Sequence, residues 1–248
     1  MKKLIVLLVL LGVVGYVQAQ NVYADLQEGP KPANVLAGFE EVATGDGVLT
    51  PHVQTMASGA VLTMTPLCLT ANGTPEFQDR DRVSKIATDG STSSRALALY
   101  DNVRVSIVGG WADVTKVPAN QIEIAGLAPN TSYNLRIGAY NVWALIHQII
   151  TPANGTVGPV ATLVHGKPNV PMATLDSSVA NDYITNAAGV LTVIYAWDDV
   201  AYANHLAQID PTLQAETSAN IGYIELTPEP ATMCLLALGG LAILRKRR

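Results

Sequence analysis

Cysteine is scarce in this chain of 248 residues, which holds only Cys68 and Cys234. Cys234 lies in a C-terminal apolar segment that we expect to be removed, so an internal disulfide is excluded from the mature body. A body without disulfides needs a substantial hydrophobic core, and about two hundred residues are enough to form one. Cys68 lies in an apolar alternating run and is predicted to be a small core residue.

Aromatic residues make up only 6% of the chain, which argues against a broad aromatic platform for glycan binding. The candidates for stacking on a single sugar ring are the three tryptophans, Trp111, Trp143 and Trp197. Trp111 is the best of them because it follows two glycines in a predicted loop, and we take it as the candidate glycan contact. The alternative for all three is core packing, which suits Trp197 at the end of an alternating strand.

Sequence motifs of enzymes are also missing. There is no Gly-x-Ser-x-Gly elbow, and the histidines do not have the spacing of a metal site. The histidines are His52, His147, His165 and His205. We therefore predict that the protein is not an enzyme and that it has no catalytic residue, no metal site and no cofactor. A polysaccharide-acting hydrolase stays as an alternative, because the two carboxylates of a glycosidase cannot be recognised from their spacing in sequence.

Acidic residues cluster at Asp79-Arg80-Asp81 and at Asp198-Asp199. Calcium takes several oxygen ligands, which loops of β-sandwiches can supply, so calcium is the alternative to solvated loop charge. Asp79 and Asp81 do not fit the calcium-hand loop, whose glycine and terminal glutamate are missing. Solvated charge is the prediction for both clusters.

The charge of the chain is low and unevenly placed. The formal net charge is −5, from fifteen cations and twenty acids. Without the two cations at the N-terminus and the four at the C-terminus, residues 20–229 hold nine cations against twenty acids, which gives this body a net charge of −11. Such a body excludes nucleic acid as a partner and disfavours an anionic membrane surface. It suits calcium, cationic partners or simple solubility.

The N-terminus has the features of a signal peptide. Lys2 and Lys3 form a basic region, a largely apolar run follows from Leu4 to Val17, and the sequence ending at Ala19 suits cleavage. We predict a signal peptide over residues 1–19, export by the Sec machinery and cleavage by signal peptidase before Gln20. The alternative, a transmembrane helix, would need a longer run.

The middle of the chain is predicted to be all-β. Residues 20–32 are polar with prolines and are expected to be a leader, while residues 33–226 are expected to form a single β-sandwich. Almost every apolar run in this domain is short and bounded by Gly, Pro, Asn, Asp or Ser, as in all-β proteins. The predicted strands are Val61–Thr70 (an edge strand, or two strands split at Pro66), Arg95–Tyr100, Val103–Ile107, Ile122–Ile124, Tyr133–Ala139, Val160–Val164, Leu191–Trp197 and Ile221–Leu226. Residues 142–149 and 201–207 are ambiguous and could form short helical pieces.

One turn is especially informative. The stretch from Ile122 to Tyr133 predicts a strand, a tight turn and a second strand. Pro129 fixes the start of the turn and Asn130 tolerates its backbone angles. Tyr133 is placed to fold back and bond to the backbone of the turn, as tyrosines do in β-sandwiches.

The C-terminal segment has three parts. Pro228-Glu229-Pro230 is followed by fourteen mostly apolar residues, 231–244, and then by Arg245, Lys246, Arg247 and Arg248. A helix of fourteen residues is about 21 Å long, whereas a bilayer core is about 30 Å thick. The segment is therefore predicted to be a short membrane stop, with the cations on the cytoplasmic side and the body outside.

This arrangement closely resembles the PEP-CTERM sorting signal of bacterial surface proteins, with the signal spanning residues 227–248. The resemblance makes Pro228, Glu229 and Pro230 the sorting motif, and it makes the four terminal cations the basic stop. It implies that an exosortase, a membrane-embedded peptidase, cuts at or near the motif. The protein would then reach the cell surface or the extracellular matrix. An ordinary C-terminal anchor or a buried terminal helix is the alternative.

The turn before Tyr133 is similar to a turn of fibronectin type III domains and to a corner of the jelly-roll bodies that many PEP-CTERM proteins carry. The order of segments from Asp89 to Leu226 favours the second, so a jelly roll is expected. The chain is then an exported bacterial surface or matrix protein with a structural or interaction role in the exopolysaccharide layer. A carbohydrate-binding module is the main alternative to this function.

Overall fold

The computed structural model describes residues 20–27, 30–70, 72–86, 94–109, 115–141, 146–165, 178–198 and 217–229. Within these ranges the chain forms fourteen β-strands, one short α-helix and one 3₁₀ turn. The strands are β1 Val22–Gln27, β2 Glu40–Ala43, β3 His52–Thr55, β4 Val61–Cys68, β5 Pro75–Asp81, β6 Asp101–Ile107, β7 Pro118–Ala125, β8 Ser132–Gly138, β9 Ile146–Ala153, β10 Ala161–His165, β11 Ser178–Ile184, β12 Leu191–Trp197, β13 Ala219–Ile221 and β14 Tyr223–Pro228. The helix α1 is Ala96–Tyr100 and the 3₁₀ turn is Val83–Lys85. The prediction of an all-β chain is confirmed for this part of the chain.

The strands form three sheets. A five-stranded sheet has the order β11-β8-β14-β1-β2, and a six-stranded sheet has the order β10-β9-β12-β7-β4-β3. A smaller sheet has the order β13-β6-β5. Apolar residues from all three sheets belong to one buried core, which is the arrangement of a β-sandwich with a flanking third sheet.

Eight of the strands pair in a nested manner. Four antiparallel pairs join β1 with β14, β7 with β12, β8 with β11, and β9 with β10. From β7 onward the chain repeatedly passes from one large sheet to the other. The outermost of these pairs places the first described strand beside the last.

Side-chain alternation builds the core. Tyr133, Leu135 and Ile137 on β8 are buried, whereas Asn134 and Arg136 between them are half-buried on the outer face, as predicted. Burying a side chain of this size stabilises the fold by about 1.5–3 kcal/mol. The predicted strands at Val103, Ile122, Val160 and Leu191 are confirmed within β6, β7, β10 and β12.

An outer layer covers part of the five-stranded sheet. A second buried cluster contains Leu99, Tyr100, Tyr140 and Tyr223, with Phe39 packed against it. The rings of Tyr100 and Tyr140 stack with their centroids 4.8 Å apart. This layer buries part of the outer face of the sheet, so the strand segments beneath it are covered on both sides.

The prediction of a strand at Arg95–Tyr100 is wrong, because Ala96–Tyr100 form helix α1 and Arg95 precedes it. Alanine and leucine are strong helix formers, and α1 is the sequence Ala-Leu-Ala-Leu-Tyr. The helix packs in the outer layer with Ala98 and Leu99 buried. Because it is only five residues long and mostly buried, its apolar residues show no period that distinguishes a helix from a strand.

The expected leader, residues 20–32, contains strand β1 and is therefore part of the domain. Strand β1 lies inside the five-stranded sheet, between β14 and β2. Val22, Ala24 and Leu26 face the core, while the polar residues between them lie under the outer layer. The polar side chains gave this segment the composition of a leader, although β1 pairs with β14 on one side and with β2 on the other.

Strand β4 is one continuous strand that includes Pro66. It pairs with β7 along its whole length, whereas β3 pairs only with Val61 to Met64. Pro66 therefore lies beyond the end of β3. On that side of β4 no described strand lies opposite Pro66, so the N–H that proline lacks leaves no acceptor of a neighbouring strand unpaired.

The signal peptide of residues 1–19 and the apolar tail of residues 231–244 lie outside the described residues. In the part of the chain that is described, no helix combines the length and the apolar character needed to cross a bilayer.

Candidate processing site

The last strand of the sandwich runs directly into the predicted sorting motif. Strand β14 ends at Pro228, which pairs with Tyr133 of β8. On its other side β14 pairs with β1, with Leu226 opposite Val22. The strand thus extends two residues past the domain boundary predicted at Leu226, and no linker separates the sheet from the motif.

Glu229 continues the pairing for one more residue. Its backbone N–H donates to the carbonyl oxygen of Ser132 over 3.2 Å. A side-chain hydrogen bond with Asp182 is the main cause of a raised pKa at Glu229, and burial and the charge of Asp182 raise this pKa further. A hydrogen bond from Ser132 acts in the opposite direction.

Asp182 also accepts a hydrogen bond from Nδ2 of Asn134 over 2.8 Å. The glutamate of the motif therefore belongs to a small polar cluster on the outer face of the sheet, made of Glu229, Asp182, Ser132 and Asn134. Sequence reasoning missed Ser132 and Asp182 as its neighbours. The available signal was the alternation of Val179 and Tyr183 with polar residues, which marks β11 as a half-buried strand.

The other predicted site residues lie outside the described residues. These are Trp111, Pro230, Arg245, Lys246, Arg247 and Arg248. Trp197 is described, and it is buried at the end of β12, so core packing is confirmed for this tryptophan.

A second acidic group lies beneath the outer layer. Asp25 on β1 is fully buried, and its Oδ2 accepts a hydrogen bond from the N–H of Leu36 over 2.6 Å. Burial is the main cause that raises the pKa of Asp25 to about 7, and the charges of Asp101 and Glu41 raise it further. Asp25 was not singled out in the sequence because it lies in the expected leader.

Lys31 lies close to two of the neighbouring carboxylates. Its Nζ is 3.3 Å from Oδ2 of Asp81 and 3.6 Å from Oδ1 of Asp101. Asp101 also accepts a hydrogen bond from Nδ2 of Asn34 over 2.6 Å. Asp81, one of the predicted solvated acids, is thus held in an ion pair with a lysine distant in sequence.

Among the residues that can be described, no group of three or more His, Cys, Asp and Glu side chains is placed to hold a metal ion. His165 is buried, and its Nε2 lies 2.9 Å from Oε1 of Gln148. Burial lowers the pKa of His165 to about 3, and His147 nearby lowers it further. This histidine is therefore a neutral, packed residue at ordinary pH.

Comparison with known proteins adds one finding. Residues 226–248 match the family model described as the PEP-CTERM protein-sorting motif. This confirms the resemblance that the tail carries, and the match begins at Leu226, inside strand β14. No curated protein matches the chain. The match covers only the tail, so the role of the body has to be inferred from the structure of the body.

Proposed function

We propose that this chain, which carries a PEP-CTERM sorting motif, is an exported bacterial surface or matrix protein that an exosortase-type peptidase processes at Glu229 and its flanking prolines. The match over residues 226–248 carries this proposal. The signal peptide predicted over residues 1–19 agrees with it. The chain would be anchored briefly in the inner membrane and then pass to the cell surface or the extracellular matrix.

The body would serve as a structural or interaction module of the exopolysaccharide layer rather than as an enzyme. Its core is closed by sheets on both sides, and its net charge of −11 keeps it soluble in a polymer-rich space. Such a module would act through its outer surface.

We further propose that the sandwich is a jelly roll. Its support is the nested pairing of β1 with β14, β7 with β12, β8 with β11, and β9 with β10. A long antiparallel hairpin rolled into two sheets produces this pairing and the double Greek key of a jelly roll. Strands β2 to β6 would then be an insertion between the first and second strands of the roll.

A carbohydrate-binding role is the alternative, with Trp111 as the contact. Val108, three residues earlier, is half-exposed, and Gly109 has a φ of +66° in the turn that ends β6. The chain thus reaches the surface shortly before this tryptophan. Binding to a glycan array that is lost in Trp111→Ala and kept in Val108→Ala would favour this role over a purely structural one.

The first experiment on the main proposal is the intact mass of the protein from native cells. A mature chain that begins at Gln20 and ends near Pro228 would support export and removal of the tail. A mass that still includes Arg248 would overturn removal of the tail and leave an anchored protein.

A further inference from the structure

The described chain begins and ends at the same end of the sandwich. The two apolar segments, residues 1–19 and 231–244, are therefore both attached at this end. Strand β1 begins at Val22, which lies opposite Leu226 near the end of the antiparallel strand β14. Gln20, the predicted first mature residue, and Glu229, the last described residue, therefore lie at the same end of the sandwich although they are far apart in sequence. We call this end of the molecule the terminus-bearing end.

Four turns complete the terminus-bearing end, namely residues 56–60, 126–131, 154–160 and 185–190. Hydrogen bonds join the last three across the two sheets, and Gly126 lies close to the carbonyl oxygen of Gly59 in the first. The N–H of Leu127 donates to the carbonyl of Gly189 over 3.0 Å, and the N–H of Asn130 donates to the carbonyl of Asn186 over 3.3 Å. Nδ2 of Asn186 in turn donates to the carbonyl of Asn154 over 3.1 Å. The turns therefore form one continuous surface.

The four turns carry no charged residue, although acids lie beside them: Oε2 of Glu40 accepts a hydrogen bond from the N–H of Ala57 over 2.8 Å, and Glu229 is held to Ser132. The turns contain no Asp, Glu, Lys, Arg or His, whereas the body as a whole carries a net charge of −11. Instead, this surface presents apolar side chains: Val157, Val160 and Ile184 are 63%, 58% and 41% exposed. Charged residues such as Lys116 and Asp198 lie at the opposite end, before β7 and after β12.

The chain leaves almost no space between this surface and the tail. Glu229 is held to Ser132 by its backbone, and the apolar run begins at Ala231. Two residues span at most about 7 Å. If the tail enters the membrane, the terminus-bearing end must therefore lie within a few ångströms of the lipid headgroups.

We propose that in the uncut precursor the terminus-bearing end lies directly against the phospholipid surface of the membrane. This proposal rests on the proposed sorting function, because it requires the tail to be in the bilayer. An acidic body is repelled by anionic lipids, and turns without charged residues weaken this repulsion at the terminus-bearing end. Val157, Val160 and Ile184 would contact the headgroup region, which is the expected use of an exposed apolar patch next to a membrane segment.

The test uses the uncut precursor from Gln20 to Arg248, without the predicted signal peptide, in vesicles of phosphatidylethanolamine and phosphatidylglycerol that carry a headgroup spin label. With Cys68→Ser and Cys234→Ser, a single cysteine is introduced by Ala188→Cys, in an exposed turn of the terminus-bearing end, and labelled with a fluorophore. The matched control is Val108→Cys, which is exposed near the opposite end. Flotation of the vesicles reports whether the tail is inserted.

We expect the spin label to quench the fluorophore at position 188 several-fold more than the fluorophore at position 108. Flotation with equal quenching at the two positions would overturn membrane contact while leaving the anchoring tail intact. A precursor that does not float would overturn the membrane role of the tail itself, and it would also overturn the contact of the terminus-bearing end with the membrane. A cross-link from position 188 to a membrane protein in native membranes, without quenching in vesicles, would assign the surface to a protein and overturn the lipid contact.

Discussion

Tyr133 and Tyr183 face each other in register across β8 and β11, and both are buried, but their hydroxyl groups differ in environment. The hydroxyl of Tyr133 accepts a hydrogen bond from the N–H of Ala128 over 3.1 Å, which closes the turn between the two large sheets. Among the described residues the hydroxyl of Tyr183 has no partner, and burial raises its pKa to about 12. One tyrosine of the pair thus fixes a corner and the other only fills space.

This difference predicts the stability of two matched variants. Tyr133→Phe leaves the N–H of Ala128 without its acceptor, so the free energy of unfolding should fall by about 1–3 kcal/mol. Tyr183→Phe removes a hydroxyl without a described partner, so the same quantity should change little or increase. Urea unfolding of the two variants beside the parent measures both. Equal losses in the two variants would show that the corner bond contributes nothing specific.

The buried carboxyl of Asp25 predicts a pH dependence of stability. Its pKa rises from 3.8 to about 7 on folding, so between about pH 4 and pH 7 the folded protein holds a proton that the unfolded chain releases. The free energy of unfolding should therefore fall as pH rises through this window, by up to a few kcal/mol from this group. In Asp25→Asn the fall should be absent.

The measurement for Asp25 is the difference in unfolding free energy between variant and parent, taken at several pH values from 4 to about 8. Taking the difference removes the opposite contribution of His165, whose lowered pKa weakens the parent as pH falls below about 6.5. Asp46→Asn, which removes a carboxylate from an exposed turn, controls for the loss of charge. A difference that does not grow with pH would contradict the prediction.

Processing should depend on Glu229 as part of the motif and not on its contact with the sheet. Glu229→Gln should leave the tail uncut if the peptidase reads the motif, and the intact mass from native cells should then include Arg248. Asp182→Asn changes the partner of Glu229 on β11 but leaves the motif intact, so its tail should still be removed. Loss of processing in both variants would place the requirement in the folded cluster instead.

A charge placed on the terminus-bearing end should affect processing according to its sign. Ala188→Glu adds an acid next to anionic lipids, which costs about 1 kcal/mol and should reduce the processed fraction about fivefold in a short labelling experiment. Ala188→Lys should not reduce this fraction. Val108→Glu carries the same charge near the far end and should behave like the parent. A similar delay in all three variants would count against contact with lipid.

The parts of the fold that sequence could predict are those with one buried face. Strand β8 alternates cleanly because Tyr133, Leu135 and Ile137 face the core while its other residues face outward. The turn before Tyr133 was predictable because Pro129 has a fixed φ and Asn130 tolerates the left-handed region, and Asn130 does adopt a positive φ of 49°.

The parts that sequence could not predict are covered on both faces. In β1, Asp25 and Gln27 are buried by the outer layer, which erases the contrast between the two sides of the strand. The pairing of Lys31 with Asp81 and Asp101 joins three separate segments, and no local pattern marks such a contact. The tail motif was recognisable from the sequence alone. That the motif continues directly from β14 became visible only from the pairing of β14 with β8 and β1.

The pairing of Val22 with Leu226 also sets an order of events during export. Strands β1 and β14 lie side by side in the five-stranded sheet, yet they are the first and last strands of the body to cross the membrane. Contacts between such distant segments form late, since the loop between them must close first. Until β14 emerges, one side of β1 exposes unpaired backbone groups to neighbouring chains. If the tail enters the membrane as proposed, the sheet would be completed only when the tail arrives there, so arrival of the sorting signal and completion of the fold would be a single step.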